Sequence, residues 1–411
     1  MKKIRLIGLA CATLALLGAS PPPAERWVGS WATSQQIPEP RNALPDAALT
    51  DATLRQMVRL STGGNRFRIL MSNAFGTEPL RIDAAHVARA VGGAAGGAGV
   101  MPGTDRALTF DGEAGVTIPA GASYWSDPVA LPVPALSSIA ISLHLPTAPK
   151  GQTSHPGSRA TSYVVPGNHV GDAALQGAQK VEHWFQIAGV AVAASRSARA
   201  VVTLGDSITD GHGATTDGND RWPDLLANRL QANPATATVG VLNHGIGGNR
   251  VLADGLGPNM LARFDRDVLA QPGVRYLIVL EGINDLGTLT REAPVSVEAH
   301  AALVARMIGA YRQVIARAHA AGIKVYGATI LPDGGSGYYH PDAQNEADRA
   351  AVNAWIRAAG HFDAVIDFDA LMRDPGAPTR LRKDYDSGDG LHPSPVGYRA
   401  MAGAIPLGLF R

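Results

Sequence analysis

Cysteine is almost absent from this chain, and so is any imbalance of charge. The 411 residues contain one cysteine, Cys11, and 36 basic against 35 acidic residues, which gives a net charge of +1. With a single cysteine the chain can form no internal disulfide, and the sequence after Cys11 offers neither a thiol nucleophile nor a thiolate metal site. The balanced charge and the lack of a long basic run argue against nucleic acid as a partner.

Charged residues in total are also few. They make up 17% of the chain, against 45% hydrophobic residues, so a sizeable core can form and general disorder is excluded. A chain of this length predicts two domains rather than one.

The N-terminus has the pattern of a secretory signal peptide. Basic residues in 1–5 precede an apolar run from Leu6 to Leu17 and a small-residue exit at Gly18-Ala19-Ser20. We expect residues 1–24 to be removed on export, and the mature protein to be secreted or periplasmic. The apolar run is too short to span a bilayer, and Cys11 lies in its middle rather than at its end, so we expect no stable membrane anchor.

Residues 25–192 are predicted to form an all-β domain of the sandwich or jelly-roll kind. Short apolar or alternating runs are separated by clusters of Gly, Pro, Asn and Asp. Trp31, Trp125 and Trp184 leave two roles open for this domain. They could stack on a glycan, or they could lie in the core of a scaffold that packs on the second domain and narrows its cleft.

Residues 198–411 alternate between strand-like and helix-like segments. This alternation predicts a mostly parallel sheet covered by helices on both faces, a three-layer α/β/α sandwich. The predicted strands are Ala200–Leu204, Thr238–Asn243, Arg275–Leu280, Lys324–Ile330 and Ala364–Ile366. The predicted helices are Trp222–Gln231, Val297–Ala320, Asn345–Ala359 and Val396–Ile405.

Polar residues follow these strands where each one ends. Gly205-Asp206-Ser207 follows the first strand, Asn243 to Arg250 the second, and Glu281 to Asp285 the third, while Asp389 to Pro393 comes last. Ligands bind at the carboxyl edge of such sheets, so we expect the four sets to lie together.

The residue types at this edge predict acyl transfer. Ser207 can attack an acyl carbon if His392 accepts its proton, and Asp389 can orient the imidazole from three residues away. The N–H groups of Ser207 and Gly248, with the side-chain amide of Asn284, can bind the oxyanion.

The four sets resemble the four sequence blocks of the SGNH, or GDSL-type, serine hydrolases. Gly205-Asp206-Ser207 resembles the first block, Asn243 to Asn249 the second, Gly282-Ile283-Asn284-Asp285 the third, and Asp389-x-x-His392-Pro393 the last. The resemblance covers residues 199–411 and implies a flavodoxin-like α/β/α fold. It also implies ester hydrolysis through an acyl-enzyme on Ser207, with no metal and no organic cofactor. The β domain is similar in texture to those that precede some secreted members.

Three function hypotheses follow. The leading one is a secreted serine esterase for short acyl esters of the acetyl type, with carbohydrate as one class of substrate. The others are a lipid-directed esterase or lysophospholipase, and a non-enzymatic glycan-binding protein. Asn249, Arg250 and Tyr338 are candidate substrate contacts because they lie on loops beside the predicted site. The sequence predicts no oligomeric state.

Overall fold

The structure is a computed structural model that describes residues 25–91 and 97–411. The predicted signal peptide, residues 1–24, lies outside the described residues. Within the described ranges, every helix is too short or too polar to cross a membrane.

The N-terminal part of the chain is built from β-strands and one short helix, α1 (Asp46–Leu49). The strands are β1 (Trp27–Ala32), β2 (Ala52–Arg59), β3 (Gly64–Ser72), β4 (Leu80–Ile82), β5 (Ala84–Arg89), β6 (Arg106–Ala107), β7 (Val116–Ile118), β8 (Ser123–Trp125), β9 (Val129–Val133), β10 (Ser138–Leu145), β11 (Ser154–His155), β12 (Ser162–Pro166), β13 (Gln179–Val181), β14 (Trp184–Phe185) and β15 (Ile187–Ala193).

Two antiparallel sheets dominate this part. One has the order β1-β15-β3-β8, with β9 also paired to β3, and the other has the order β13-β12-β2-β10-β5-β6. Buried side chains from both sheets, such as Phe67 on β3 and Ile141 on β10, belong to one apolar core. The all-β expectation is therefore confirmed for this part of the chain.

The C-terminal part is a parallel α/β layer structure. Its strands are β16 (Arg199–Gly205), β17 (Val239–Gly245), β18 (Val274–Leu280), β19 (Lys324–Ala328) and β20 (Ala364–Ile366), with a hairpin of β21 (Arg373–Asp374) and β22 (Ala377–Leu381). Its α-helices are α2 (Ser207–Asp210), α3 (Trp222–Gln231), α4 (Met260–Phe264), α5 (Ile283–Thr290), α6 (Val297–Ala320), α7 (Ala343–Arg357), α8 (Phe368–Met372) and α9 (Pro395–Ala404). A π-helical turn, Asp265–Leu269, and a 3₁₀ turn, Leu407–Phe410, complete the set.

The strand order β17-β16-β18-β19-β20 is that of a flavodoxin-like sheet. Helices α3 and α9 pack together, with α3 also against β17, whereas α6 and α7 pack against β19. The predicted flavodoxin-like fold is confirmed. Apolar periodicity predicted Trp222–Gln231 and Val297–Ala320 with the observed bounds, while α7 and α9 begin one or two residues earlier than expected.

The three tryptophans that could have stacked on a glycan do not present open ring faces to solvent. Trp31 and Trp184 are buried and meet edge to face, with ring centroids 4.9 Å apart. Trp125 is half-buried, and the Arg68 guanidinium lies 4.3 Å from its ring centroid. The core role therefore describes Trp31 and Trp184, whereas the ring of Trp125 is covered by Arg68.

Strand β1 lies against β17 and joins the two parts of the chain closely. The Gly29 N–H donates to the Pro272 carbonyl at 2.8 Å, and the Val241 N–H donates to Ser61 Oγ at 2.8 Å. A Cβ atom on Gly240 would meet the Gly29 carbonyl oxygen at 2.1 Å. This close backbone approach needs glycine at position 240.

Gly240→Ala should therefore separate β1 from β17 and lower the free energy of unfolding by about 1–3 kcal/mol. The matched control is Gly309→Ala on α6, where an added Cβ meets nothing within 4 Å. That control should raise the free energy of unfolding by about 0.5–1 kcal/mol, because alanine is the better helix former. Urea unfolding of both variants measures the difference. Equal effects would contradict the packing argument.

Candidate active site

Ser207 lies where the central strand β16 gives way to helix α2. Asp206 caps this helix, since its side chain accepts a hydrogen bond from the Ile208 N–H at 2.9 Å. Gly205 is needed before it, because a Cβ there would lie 2.4 Å from the Leu280 carbonyl oxygen. The strand end and the cap together fix the direction of the Ser207 side chain, which opens into a cleft.

Ser207, His392 and Asp389 form a hydrogen-bonded chain. Ser207 Oγ lies 2.8 Å from His392 Nε2, and His392 Nδ1 lies 2.6 Å from Asp389 Oδ2. The second oxygen of Asp389 accepts hydrogen bonds from the Leu391 and His392 N–H groups at 2.9 and 2.8 Å. A carboxylate can only accept here, so Nδ1 carries the proton and Nε2 is free to accept the Ser207 proton.

Asp389 stays ionised in this arrangement. Partial burial opposes ionisation, but the hydrogen bonds and charge of His392 outweigh it and hold the pKa of Asp389 well below its usual range. A fixed negative charge beside Nδ1 stabilises the imidazolium that forms when His392 accepts a proton.

The predicted oxyanion donors line the same cleft as Ser207. Gly248, on the turn after β17, has φ +70°, a conformation that favours glycine. Asn284 stands in the first turn of α5, directly after the strand β18 and its Glu281-Gly282 extension. Ser207, Gly248 and Asn284 are thus brought together by the ends of three neighbouring strands.

Two neighbours fix the amide of Asn284. Its Nδ2 donates to the Asn249 carbonyl oxygen at 2.7 Å, and its Oδ1 accepts from the Tyr339 hydroxyl at 2.6 Å. Because the Asn249 carbonyl can only accept, the side-chain atom that faces it must be the amide nitrogen, which keeps a second N–H for a ligand. Tyr339 is itself held by its ring, which occupies the space beside Gly287.

Asn249 was predicted to contact the substrate, but it does not line the cleft. It is fully buried, and its side chain donates to the Pro258 carbonyl at 2.8 Å and accepts from Arg263 Nε at 2.9 Å. It is a structural residue because the turn after β17 folds inward at this position. Arg250 and Tyr338, the other two candidate contacts, do line the cleft.

Arg263, on α4, is a buried guanidinium that ties several strand ends together. It donates to the carbonyl oxygens of Gly205 at 3.0 Å and His244 at 2.6 Å, which lie at the carboxyl ends of β16 and β17. It also pairs with Asp267 at 3.1 Å and Glu281 at 3.4 Å. One cation therefore holds both strand ends that lead into the site.

Three carboxyl groups share this buried region with Arg263. Burial, together with the charges of Asp285 and Asp210, raises the pKa of Asp206 to about 7. Burial also raises the pKa of Asp285 to about 6 and that of Glu281 well above its usual value. Asp285 accepts from the Val251 and Leu252 N–H groups at 2.7 and 3.0 Å, so it braces the loop after β17.

The N-terminal part contributes a buried histidine to the back of the site. His155 Nε2 lies 2.8 Å from Asp210 Oδ1, and its Nδ1 donates to the Ser34 carbonyl at 2.8 Å. The other oxygen of Asp210 accepts from the Gly247 N–H at 3.0 Å, one residue before Gly248. Since Nδ1 donates to a carbonyl and Nε2 faces a carboxylate, one hydrogen bond ties His155 to Asp210 and fixes the ring.

Another histidine, His212, lies beside the triad histidine, His392. The rings of His212 and His392 are 4.0 Å apart, and His212 Nε2 lies 3.8 Å from Asp389 Oδ2. Burial, with the nearby charges of His392 and Arg159, lowers the pKa of His212 to about 4. His212 is therefore neutral near pH 7. Donor atoms of His212, Asp389 and His392 lie within 4.8 Å of one another, a spacing that could hold a metal ion.

Several of these residues gave no signal in the sequence. His155 sits more than fifty positions from Ser207 in a region of β texture, and Arg263 looks like any arginine on a short helix. Only the topology brings them to the site. Tyr339 follows Tyr338, which was a predicted substrate contact because its loop lies beside the predicted site. The loop's place was predictable, but its contact with Asn284 was not.

With this geometry in place, the family of the second part can be stated. Residues 203–400 match the model described as the GDSL-like lipase/acylhydrolase family. This part of the chain is a domain of that family, and the protein is a carboxylic ester hydrolase. A comparison with curated proteins found no match.

Solved structures similar to this chain align with about half of it. One is a catalytic mutant of an acetylxylan esterase from Geobacillus stearothermophilus, 21% identical, covering 50% of this chain and 91% of that chain with a TM-score of 0.38. A GDSL-like lipase from Bacteroides thetaiotaomicron is 20% identical, covering 51% of this chain and 87% of that chain with a TM-score of 0.38. An acetyl xylan esterase is 21% identical, covering 50% and 96% with a TM-score of 0.38.

The raised pKa of Asp206 predicts a dependence of stability on pH. Its carboxyl has a pKa of 3.8 when unfolded and about 7 when folded, so the folded state binds more protons between these values. The stabilisation is fully present below about pH 4 and is lost as the pH rises through 7. Asp206→Asn keeps the oxygen that caps Ile208 and removes the titration. It should therefore gain stability relative to the parent protein at pH 8 more than at pH 4.

Urea unfolding at the two pH values tests this. Asp254→Asn is the control with the opposite sign, because hydrogen bonds from Asn259 lower the pKa of the exposed Asp254 carboxyl. Relative to the parent protein, the Asp254→Asn variant should have a lower free energy of unfolding at pH 8, and the loss should be smaller at pH 4. An Asp206→Asn variant whose advantage does not grow with pH would contradict the assigned ionisation.

Proposed function

We propose that this protein is an exported serine esterase that removes short acyl groups, of the acetyl type, from carbohydrate. The observation that carries the proposal is the Ser207–His392–Asp389 chain of hydrogen bonds at 2.8 and 2.6 Å, in a cleft also lined by Gly248 and Asn284. Export rests on the N-terminal sequence pattern alone, and the substrate size and polarity rest on the cleft.

The first half-reaction follows from the hydrogen bonds. Ser207 Oγ attacks the acyl carbon as His392 Nε2 takes its proton, and Asp389 stabilises the resulting imidazolium. The oxyanion is bound by the N–H groups of Ser207 and Gly248 and by the free Nδ2–H of Asn284. His392 then donates its proton to the leaving alcohol, and the acyl group stays on Ser207.

Hydrolysis of the acyl-enzyme repeats these steps with water. His392 accepts a proton from the attacking water, the acid leaves, and the proton returns to Ser207 Oγ. In both half-reactions the proton moves through His392, and the oxyanion is bound by the same three N–H groups.

The cleft fits a large polar ester with a small acyl group. Its volume is about 1120 Å³, far more than an acetyl group requires. A long acyl chain needs a continuous apolar wall. The walls here are mainly glycine, polar and charged residues, and the aliphatic side chains that line it are Leu256, Leu381 and Leu391. This composition favours a saccharide ester over a long-chain lipid.

Ser207→Ala should lower the hydrolysis of p-nitrophenyl acetate by at least about 10³-fold, because the nucleophile is lost. Ser195→Ala, an exposed serine outside the cleft, is the control and should keep the parental rate. Circular dichroism shows whether both variants fold. Retained turnover in folded Ser207→Ala would disprove the role of Ser207.

The acyl length is tested on the parent protein with a series of p-nitrophenyl esters. We expect kcat/KM to be highest for acetate to butyrate and to fall as the chain lengthens, because Leu256, Leu381 and Leu391 are too few aliphatic side chains to line a long acyl chain. A maximum at ten or more carbons would favour a lipid-directed esterase instead.

Tyr339→Phe should lower kcat for p-nitrophenyl acetate by about tenfold with little change in KM. The ring that packs on Gly287 remains, but the hydroxyl that fixes the amide of Asn284 is lost, so an oxyanion donor is less well oriented. Tyr276→Phe, whose hydroxyl makes a 3.4 Å contact with the Arg411 carbonyl, is the control. A raised KM with unchanged kcat would show that Tyr339 serves substrate binding instead.

A further inference from the structure

The cleft that contains Ser207 is bordered by an excess of positive charge. Five cationic side chains line it, and the anionic side chains that line it are Asp386 and Asp389. The cations are Arg41, Arg250, Arg291, Arg380 and Lys383. The whole chain has a net charge of only +1, so this concentration is local to the cleft.

The negative groups in the cleft are already occupied. Asp389 is bound to His392, and Asp386 accepts hydrogen bonds from the Gly388 and Gly390 N–H groups at 2.8 and 3.0 Å. Among the described residues, neither carboxylate forms an ion pair within 4.0 Å with any of the five cations.

The cations are mostly unpaired. Among the described residues, Arg250, Arg380 and Lys383 have no carboxylate within 4.0 Å, since each is missing from the ion pairs found there. Arg41 and Arg291 pair only with neighbours in sequence, the half-buried Glu39 at 3.2 Å and the exposed Glu292 at 2.9 Å. Ion pairs at the protein surface contribute little. Charge is therefore left available for a ligand.

The cations come from separate segments rather than from one cluster. Arg41 belongs to the N-terminal part, Arg250 to the turn after β17, and Arg291 to the end of α5. Arg380 lies on β22, and Lys383 lies two residues beyond that strand. Charges distributed along a cleft suit a ligand that carries repeated negative groups better than one compact anion.

An aromatic face lies among these charges. Tyr338 is 60% exposed, and the Arg291 guanidinium, 5.3 Å from its ring centroid, donates to its hydroxyl at 2.8 Å. An oriented, exposed tyrosine ring offers an apolar platform of the size of a sugar ring. The combination of a platform with distributed cations points to a saccharide.

We infer that the substrate of this cleft is an acyl ester carried by an acidic saccharide, one whose sugar units bear carboxylate groups. The inference rests on the esterase activity proposed above and adds the class of its leaving alcohol. Carboxylates along the saccharide pair with Arg250, Arg380 and Lys383 while Ser207 attacks the ester. Guanidinium groups bind carboxylates through paired hydrogen bonds, which orients the saccharide as well as attracting it.

The test compares kcat/KM of the full-length enzyme for acetylated polygalacturonate and for acetylated xylan, a largely uncharged saccharide. We expect the acidic substrate to be favoured at least about tenfold at low ionic strength. Raising sodium chloride from about 20 mM to about 500 mM should remove most of that preference, because salt screens the attraction. Turnover of p-nitrophenyl acetate, measured in parallel, should change little with salt.

Two double variants test whether the preference for the acidic saccharide comes from the cations of the cleft. Arg380→Gln/Lys383→Gln removes two of the cleft cations, and Lys180→Gln/Arg399→Gln removes two exposed cations elsewhere, with the same change in net charge. The ratio of kcat/KM for acetylated polygalacturonate to that for p-nitrophenyl acetate should fall about tenfold in the first variant. It should stay at the parental value in the second.

The outcomes separate this inference from the proposed function. If p-nitrophenyl acetate is not hydrolysed at all, the esterase proposal fails. If it is hydrolysed but the acidic and neutral saccharides react equally, or both double variants behave alike, the esterase stands and the acidic-saccharide inference is overturned. Turnover of lysophosphatidylglycerol vesicles without turnover of the acidic saccharide would overturn it in favour of an anionic lipid.

Discussion

The buried guanidinium of Arg263 is the interaction on which the site depends. A charge without exposure to solvent is costly unless each of its donors is paired, and here the donors meet strand-end carbonyls, Asp267 and the Asn249 side chain. The two carbonyls, of Gly205 and His244, lie at the ends of β16 and β17, which lead to Ser207 and Gly248. The position of the nucleophile relative to the oxyanion donor is thus set by one cation that touches neither of them.

The same region concentrates carboxyl groups whose ionisation is opposed by burial. Asp206, Glu281 and Asp285 have raised pKa values, whereas the pKa of Asp389 is lowered by its bonds to His392. The carboxylate that needs a charge for catalysis is therefore the one at the solvent-facing edge. The carboxyls that only hold loops lie inside, where a neutral form is tolerated.

The features that the sequence predicted are those that depend on residues close to one another along the chain. Apolar periodicity predicted α3 and α6 with their observed bounds, and the placement of Ser207, Asn284 and His392 after strands predicted that they would meet. These features rest on local patterns combined with the rule that ligands bind at the carboxyl ends of parallel strands. Asn249 was misplaced because a loop position alone does not say whether a side chain turns inward. His155 and Tyr339 were missed because their partners are far away in sequence, and nothing local marks a histidine or a tyrosine that will meet such a partner.

The contact between His155 and Asp210 also bears on how separable the two halves are. The buried His155 of the β-rich half holds Asp210, which in turn accepts from the Gly247 N–H beside Gly248. Strand β1 also packs on β17, so the two halves share a border. A break in the short connection between Ala193 and Arg199 would leave these contacts intact. The two fragments would stay together as a nicked enzyme, whereas the parallel-sheet half produced by itself would have an unfilled wall behind its oxyanion turn. In this protein the unit that carries the chemistry is larger than the segment that carries the sequence motifs.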